Sequence, residues 1–287
     1  MWTVAPAKIN WTLEVLGRRS DAYHEVKTIL QAIDLCDELY VEPAESLIVR
    51  GSPAAREDDL IGRAARALAN FAGREPHASI RIEKSIPVGA GLGGGSADAA
   101  ATLRALNRMW KLDLSTETLA GIARDLGADV PFFLLGGMAL GEGRGDQTIP
   151  LPDAPPAWLV LLVPAIRLPY KTRRMYEALT AHDYSDGSRT DVLSTALRRG
   201  HILSHKMFYN AFEAVAYEAF RDLARHRDGL MSAGARAVHL AGSGPTLFAV
   251  VSDERNAIEM RDRLGATEAK AYAVRTLTAR ESTLTVD

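Results

Sequence analysis

Residues 87–98 read Pro-Val-Gly-Ala-Gly-Leu-Gly-Gly-Gly-Ser-Ala-Asp, and five glycines fall within the seven positions from Gly89 to Gly95. The whole chain of 287 residues holds only 23 glycines, so this concentration is local. Ser79 to Glu83 alternates, with Ile80 and Ile82 on one face, which predicts a strand before the loop. The alanine-rich stretch from Ser96 to about Met109 predicts a helix after it. Glycine lets backbone approach a ligand closely and adopt positive φ. A helix start adds unpaired N–H groups and a partial positive charge. Strand, glycine loop and helix together make an anion site suited to phosphates. Ser96 and Asp98, taken singly, are also good helix caps, but five glycines exceed what a cap requires.

The loop differs from the commonest nucleotide loops. A P-loop closes on Gly-Lys-Ser/Thr, whereas Gly94 is followed by Gly95 and Ser96. A protein-kinase loop carries a valine after its third glycine, and this one does not. Gly89-Ala90-Gly91-Leu92-Gly93-Gly94 matches the dinucleotide fingerprint, with Asp113 at about the right distance. That reading requires a strand ending in the acid. Trp110 to Leu114 is too short for one, and Ser115 caps a further predicted helix ending near Gly127.

The remaining sequence bounds the partners. Net charge is −2 with no basic arm or stripe, so small molecules are expected rather than nucleic acid. Cys36 is the only cysteine; beside Leu35 it reads as a core filler, and its solitude fits a reducing cytoplasm. Met1 to Trp11 lacks a signal-peptide pattern, and runs such as Trp158 to Val163 are too short to span a membrane. Strands are predicted at Trp2 to Val4, Ile9 to Leu16, Leu39 to Val41, Leu47 to Val49 and Phe132 to Leu140, with Tyr23 to Asp34 open between strand and helix. Asp58 to Ala72 reads as a helix. Four prolines between Pro150 and Pro156 suggest a boundary, giving domains 1–153 and 154–287. Beyond it a strand at Trp158 to Val163, helices at Thr172 to Ala181 and Tyr209 to Arg225, and a closing strand, strand, helix, strand run predict α+β layers in both halves.

The form Pro87-Val88-Gly89-Ala90-Gly91-Leu92-Gly93-Gly94-Gly95-Ser96 resembles the phosphate loop of the GHMP kinase superfamily. It is most similar to the branch acting on 4-diphosphocytidyl-2-C-methyl-D-erythritol, in the non-mevalonate route to isoprene units. Further blocks resemble that branch in the same order: Ala5 to Asn10 with Leu16 to Arg19 and Asp21 to Glu25; Leu126 to Phe133; Gly141 to Asp146; and Ala241 to Thr246. The resemblance spans residues 5 to about 250. It implies a two-domain α+β kinase with its active site in the cleft between the domains. It further implies ATP and Mg²⁺ as cofactors, a cytidine diphosphate substrate, and Pro87 to Ser96 with Ala97 as the nucleotide-binding residues.

Phosphoryl transfer needs positioning and charge stabilisation. A carboxylate that accepts the hydroxyl proton and a nearby cation supply both. Asp129, flanked by Ala128, Val130 and Pro131, is either such a base or a helix-terminal turn residue; the resemblance makes it the catalytic base. Lys8, otherwise a snorkelling lysine, becomes the catalytic cation. Tyr23 and His24 offer a stacking face and a hydrogen-bonding edge, suited to a base, and the resemblance assigns them to the cytidine end with Asn10. Thr172 and Tyr176 are implied as a further hydroxyl and a second stacking aromatic. Four positions depart from the branch: Ala97 for a second serine, Ala22 for glycine, Asp59 for asparagine and Ala211 for an acid. His201 and His205 have i, i+4 spacing but no third ligand, and Arg173 with Arg174 reads as an exposed basic helix start.

Overall fold

The computed structural model describes residues 1–53, 59–201, 203–265 and 268–286. Asp58, the first residue of one predicted helix, lies outside them. The first strand, β1 (Trp2–Arg18), follows from alternation. Ala7, Ile9, Trp11, Leu13 and Val15 are buried and apolar; Lys8, Asn10, Thr12 and Glu14 are buried and polar. Side chains of a strand alternate between faces, so β1 has one apolar face and one polar face, both covered. The two short runs predicted here are one strand. Register shifts at Pro6/Ala7, Asn10/Thr12 and Val15/Gly17 interrupt it without ending it. Antiparallel pairing with β2 (His24–Glu42) makes the ambiguous segment a strand.

There follow β3 (Ile48–Arg50), α1 (Leu60–Phe71), β4 (Ser79–Glu83), α2 (Gly94–Met109), α3 (Thr116–Leu126), α4 (Val130–Leu135), β5 (Met138–Glu142) and β6 (Gln147–Pro150). The later chain forms β7 (Trp158–Pro164), α5 (Lys171–Ala178), α6 (Ser188–Arg198), β8 (Tyr209–Asn210), α7 (Glu213–Ala219), α8 (Leu223–Ser232), β9 (His239–Leu240), β10 (Leu247–Val251), α9 (Glu254–Leu264), β11 (Ala269–Arg275), α10 (Ala279–Ser282) and β12 (Thr285–Val286).

One sheet runs β12-β1-β2-β4-β3, with β5 and β6 continuing from β2 and β8 joining β1. The second runs β11-β7-β10-β9 and is antiparallel throughout. Helices α1 to α4 cover one face of the first sheet, where Leu39, Ile80, Leu68, Leu103 and Phe132 share a core. On the other face Ile9, Trp11 and Ile29 meet Leu159, Leu161 and Phe248 of the second sheet. Trp11 stacks on Phe208 at 4.6 Å and meets Phe248 edge-on at 6.0 Å, which fixes how the sheets face. Val160, Leu162 and Leu247 point the other way, into a core with Met175, Phe212 and Met260.

Several expectations are corrected. Phe132 to Leu140 is not a strand: α4 takes its first half and β5 its second, with the Gly136-Gly137 turn between. A short apolar run does not distinguish a buried helix from a strand, and Pro131 in the first turn favours the helix. The helix at Tyr209 to Arg225 is three elements. Asn210 accepts from Phe212 N and donates to the Leu240 and Gly242 carbonyls, so it ties a loop instead of continuing a helix. The sequence reading has no counterpart to α6. His201 and His205 do not share a helical face, because α6 ends at Arg198 and Gly200 turns the chain at φ 76°.

Ser115 is the N-cap of α3 as expected, its Oγ accepting from Thr118 N at 3.2 Å. Ser115→Ala is expected to cost about 1 kcal/mol of stability and to leave turnover at the wild-type value. Paired denaturant melts and activity assays check this; a loss of activity at equal folded fraction would contradict it.

Candidate active site

The glycine loop is shaped by contacts from both sheets. Lys8 N donates to the Leu92 carbonyl at 2.9 Å, so the loop is pinned to β1 beside the expected catalytic lysine. Gly91 has φ 87°, and a Cβ there would lie 2.6 Å from the Ala241 carbonyl oxygen and 2.7 Å from that of Gly244. The loop therefore packs backbone-to-backbone against residues 241–244, the chain's last glycine motif. Gly93 is the N-cap of α2 at φ 74°, and no side chain caps the helix. Neither Ser96 nor Asp98 serves as a cap. The first-turn N–H groups of α2 are thus left to a ligand.

A cavity of about 450 Å³ lies over this loop. All of Pro87 to Ser96 lines it, as do Lys8, Asn10, Asp129, Thr172 and Tyr176. Ala97 does not: it is buried in the helical core and its N–H bonds to Gly93 O. Lys8, on the polar face of β1, is buried, not snorkelling. Its Nζ donates to Asn10 Oδ1 at 2.9 Å and stands 3.7 Å from Asp129 Oδ2. Asn10 in turn donates to Thr28 Oγ1 at 2.7 Å, which fixes its oxygen toward the lysine. Asp129 occupies the N-cap position of α4 but its side chain makes no capping bond, and it stays 39% exposed. An accessible carboxylate is thereby held beside a buried ammonium.

The residues expected at the cytidine end are placed differently. Tyr23 is 57% exposed and outside the cavity lining; the Arg144 guanidinium, which does line it, lies 5.0 Å over its ring. His24 stacks on Tyr176 at 4.7 Å and 17°. Tyr176 meets Phe212 edge-on at 4.8 Å. Burial, helped by Arg18, lowers the His24 pKa and favours the neutral ring. Burial, with Asp129 adding, pushes the Tyr176 phenol up. Thr172 Oγ1 is 3.3 Å from Ser243 Oγ.

Three cations at the cavity were not read from the sequence. Lys84 pairs with Asp37 and, at 2.7 Å, with Asp98 at the foot of α2. Burial pushes the Asp98 carboxyl up, Lys84 pulls it back, and Asp37 adds to the rise. Lys84 and Ser85 form a polar step between the strand and Pro87, the local signal for this cation. Arg144 binds Asp146 at 2.8 Å. Lys171 begins α5, and its Nζ donates to the Gly244 carbonyl.

The departures have structural counterparts. Ala22 sits at φ 67°, where glycine costs nothing. Asp59 spends its oxygens on Ile61 N and Gly62 N as the cap of α1. Arg173 pairs with Glu177 at 2.7 Å on the surface. Burial pushes the Cys36 thiol up to about 12, which suits a packing residue. No described helix is long and apolar enough to cross a membrane.

The sequence matches the GHMP kinases N terminal domain over residues 59–137 and the GHMP kinases C terminal domain over residues 193–270. It is 40% identical over 277 residues to a 4-diphosphocytidyl-2-C-methyl-D-erythritol kinase of Dehalococcoides mccartyi, covering 96% of this chain and 97% of the relative. To that of Pelotomaculum thermopropionicum it is 39% identical over 284 residues, covering 96% and 98%. A crystal structure of a 4-(cytidine 5'-diphospho)-2C-methyl-D-erythritol kinase superposes with a TM-score of 0.83 at 37% identity, over 96% of this chain and 99% of that one. A homoserine kinase from Cytophaga hutchinsonii, at 17% identity and a TM-score of 0.72 over 97% and 94% of the chains, shares the fold.

Proposed function

This chain belongs to the 4-diphosphocytidyl-2-C-methyl-D-erythritol kinases of the GHMP kinase superfamily, and on that premise we propose which of its residues carry the reaction. It is a two-domain α+β kinase of this superfamily. It transfers the γ-phosphoryl of ATP to the 2-hydroxyl of 4-diphosphocytidyl-2-C-methyl-D-erythritol, in the non-mevalonate pathway to isoprenoid precursors. The observation supporting our assignment is the 3.7 Å pairing of Lys8 with Asp129 in the cavity that the glycine loop lines.

Gly89 to Ser96 and the open start of α2 hold the nucleotide's phosphates. Asp129 accepts the proton of the 2-hydroxyl as its oxygen bonds to the γ-phosphorus. The bond from phosphorus to the β–γ bridging oxygen breaks, and ADP leaves with that electron pair. Lys8, held by Asn10 beside the Asp129 carboxylate, orients the hydroxyl. Tyr23, His24 and Tyr176 take the cytosine by stacking and edge contacts, with Thr172 a further polar contact. Among the described residues no group of three or more His, Cys, Asp or Glu side chains could hold a metal ion. Magnesium in such sites is held largely by phosphate oxygens and waters, so we take it to arrive with the nucleotide. We divide the chain into domains 1–153 and 154–287 at the proline cluster, and place the reaction in the cytoplasm, in keeping with the single free Cys36.

An ADP-release assay tests the reading. With the cytidine substrate, ADP release is expected at a kcat/KM at least about 10²-fold above that with mevalonate or homoserine, because a site built for hydrogen-bonding groups rejects substrates lacking them. A preference for either of those, or no release with the cytidine substrate, overturns it.

A further inference from the structure

The cations lining the cavity are not equally neutralised. Among the described residues, Lys8 has Asp129 within 4 Å, Lys84 has Asp37 and Asp98, and Arg144 has Asp146. Lys171 has no carboxylate of a described residue within that distance. Among the described residues the acceptor it meets is the Gly244 carbonyl. An ammonium carries three donors, so two are left without an acceptor among the described residues. The residue is half-buried, where hydration is incomplete.

Its position is set by the loop that packs on Gly91. Gly242 lies against Lys8: a Cβ there would sit 2.9 Å from Lys8 Nζ and 2.7 Å from the Gly91 carbonyl. Two residues on, Gly244 holds Lys171. The Gly242–Gly244 turn therefore carries one lysine on each side, both facing the cavity beside the phosphate loop. The only carboxylate among the described residues that pairs with this couple is Asp129, so the couple keeps a surplus of positive charge. A lone ammonium with spare donors at the edge of an anion site is disfavoured until an anion arrives.

We propose that Lys171 is a further catalytic residue, a second ammonium beside Lys8 that grips the phosphoryl group as it passes from ATP to the acceptor hydroxyl. This rests on the kinase reading above and adds a ligand to the transferred group. Placed there, the spare donors of Lys171 meet equatorial phosphoryl oxygens, and Lys8 remains free to hold Asp129. Charge on those oxygens is what a kinase site must stabilise in the transition state.

The electrostatics supply a signature. Burial, reinforced by Lys8 and only partly offset by Asp129, lowers the Lys171 pKa to about 7. The charged groups that face it are Lys8 from β1 and Asp129 at the start of α4; Tyr176 on its own helix stays a neutral phenol. The active form is the ammonium, so kcat/KM, which reports the free enzyme, falls as pH rises through about 7. Bound phosphates favour the charged form, so the corresponding fall in kcat moves to higher pH.

The test measures ADP release with the cytidine substrate from pH 6 to 9 for wild type, Lys171→Met and Lys171→Arg, with saturating magnesium. Lys171→Met is expected to lose about 10²–10³-fold in kcat and the alkaline fall in kcat/KM. Lys171→Arg, charged throughout this range, is expected to retain more turnover than Lys171→Met and to lose the fall as well. Arginine shares the titrations of ATP and substrate, so a fall kept in Lys171→Arg belongs to them and overturns the assignment. Turnover of Lys171→Met within about threefold of wild type also overturns it. If the methionine variant does not fold, the wild-type and arginine profiles decide alone. Wild-type enzyme that releases no ADP overturns the kinase reading instead, and a flat wild-type profile overturns Lys171 only.

Discussion

Asp129→Asn is expected to lower kcat by about 10²–10⁴-fold, the span that general-base catalysis contributes, while ATP binds within a few-fold of wild type. Asparagine keeps the shape and removes only the proton acceptor. The Lys8 ammonium loses its carboxylate but keeps Asn10 Oδ1 at 2.9 Å, so the fold tolerates the change. Asp129 is also partly exposed and caps nothing through its side chain, which separates its chemistry from the stability of α4. Steady-state turnover beside titration calorimetry with ATP provides the measurement. Turnover within tenfold of wild type would remove Asp129 from the mechanism.

The second large effect concerns Gly91. Gly91→Ala forces a Cβ to within 2.6 Å of one carbonyl oxygen and 2.7 Å of another, at φ 87°. The backbone conformation costs about 1–2 kcal/mol for an L-residue, and overlap with unyielding backbone typically adds about 1–3 kcal/mol. The cheapest relief is a shift of the loop away from residues 241–244, which disturbs the N–H groups meant for phosphate. ATP affinity is expected to fall at least about tenfold, since 1.4 kcal/mol already corresponds to that factor. Gly89→Ala is the matched control. Gly89 has a similar φ of 75°, but a Cβ there meets nothing within 4 Å. It carries the conformational cost without the collision. Equal ATP affinities in the two variants would show that the loop-to-loop contact does not shape the site.

The elements that sequence reveals best are those whose signal is local. The alternation of Lys8, Asn10, Thr12 and Glu14 with apolar neighbours is visible in the chain and becomes the two faces of β1. Its polar members were not read as buried, because burial depends on what the distant sheet and helices bring. The glycine loop was legible for the same local reason, and Ser115 as a cap likewise. Phe132-Phe133 was misread because apolar runs of that length are compatible with either backbone form. Lys84 and Lys171 carry little local signal, because their roles lie in partners far along the chain: Asp37 for the first, Gly244 for the second. His24 was expected at a base-binding site, but its stacking on Tyr176 joins residues 152 positions apart and has no trace in local pattern.

The seat that residues 241–244 provide for Gly91 also imposes an order on synthesis. The phosphate loop leaves the ribosome about 150 residues before the segment that braces it. At roughly 5–20 residues per second, the loop waits on the order of ten seconds with its glycines unbraced. A nascent chain can complete α2 and much of the first sheet in that interval without yet having a finished place for ATP. Nucleotide is therefore available to stabilise the molecule only in the closing stage of its manufacture, and the earlier stages must rest on the chain's own packing, strand pairing and ion pairs.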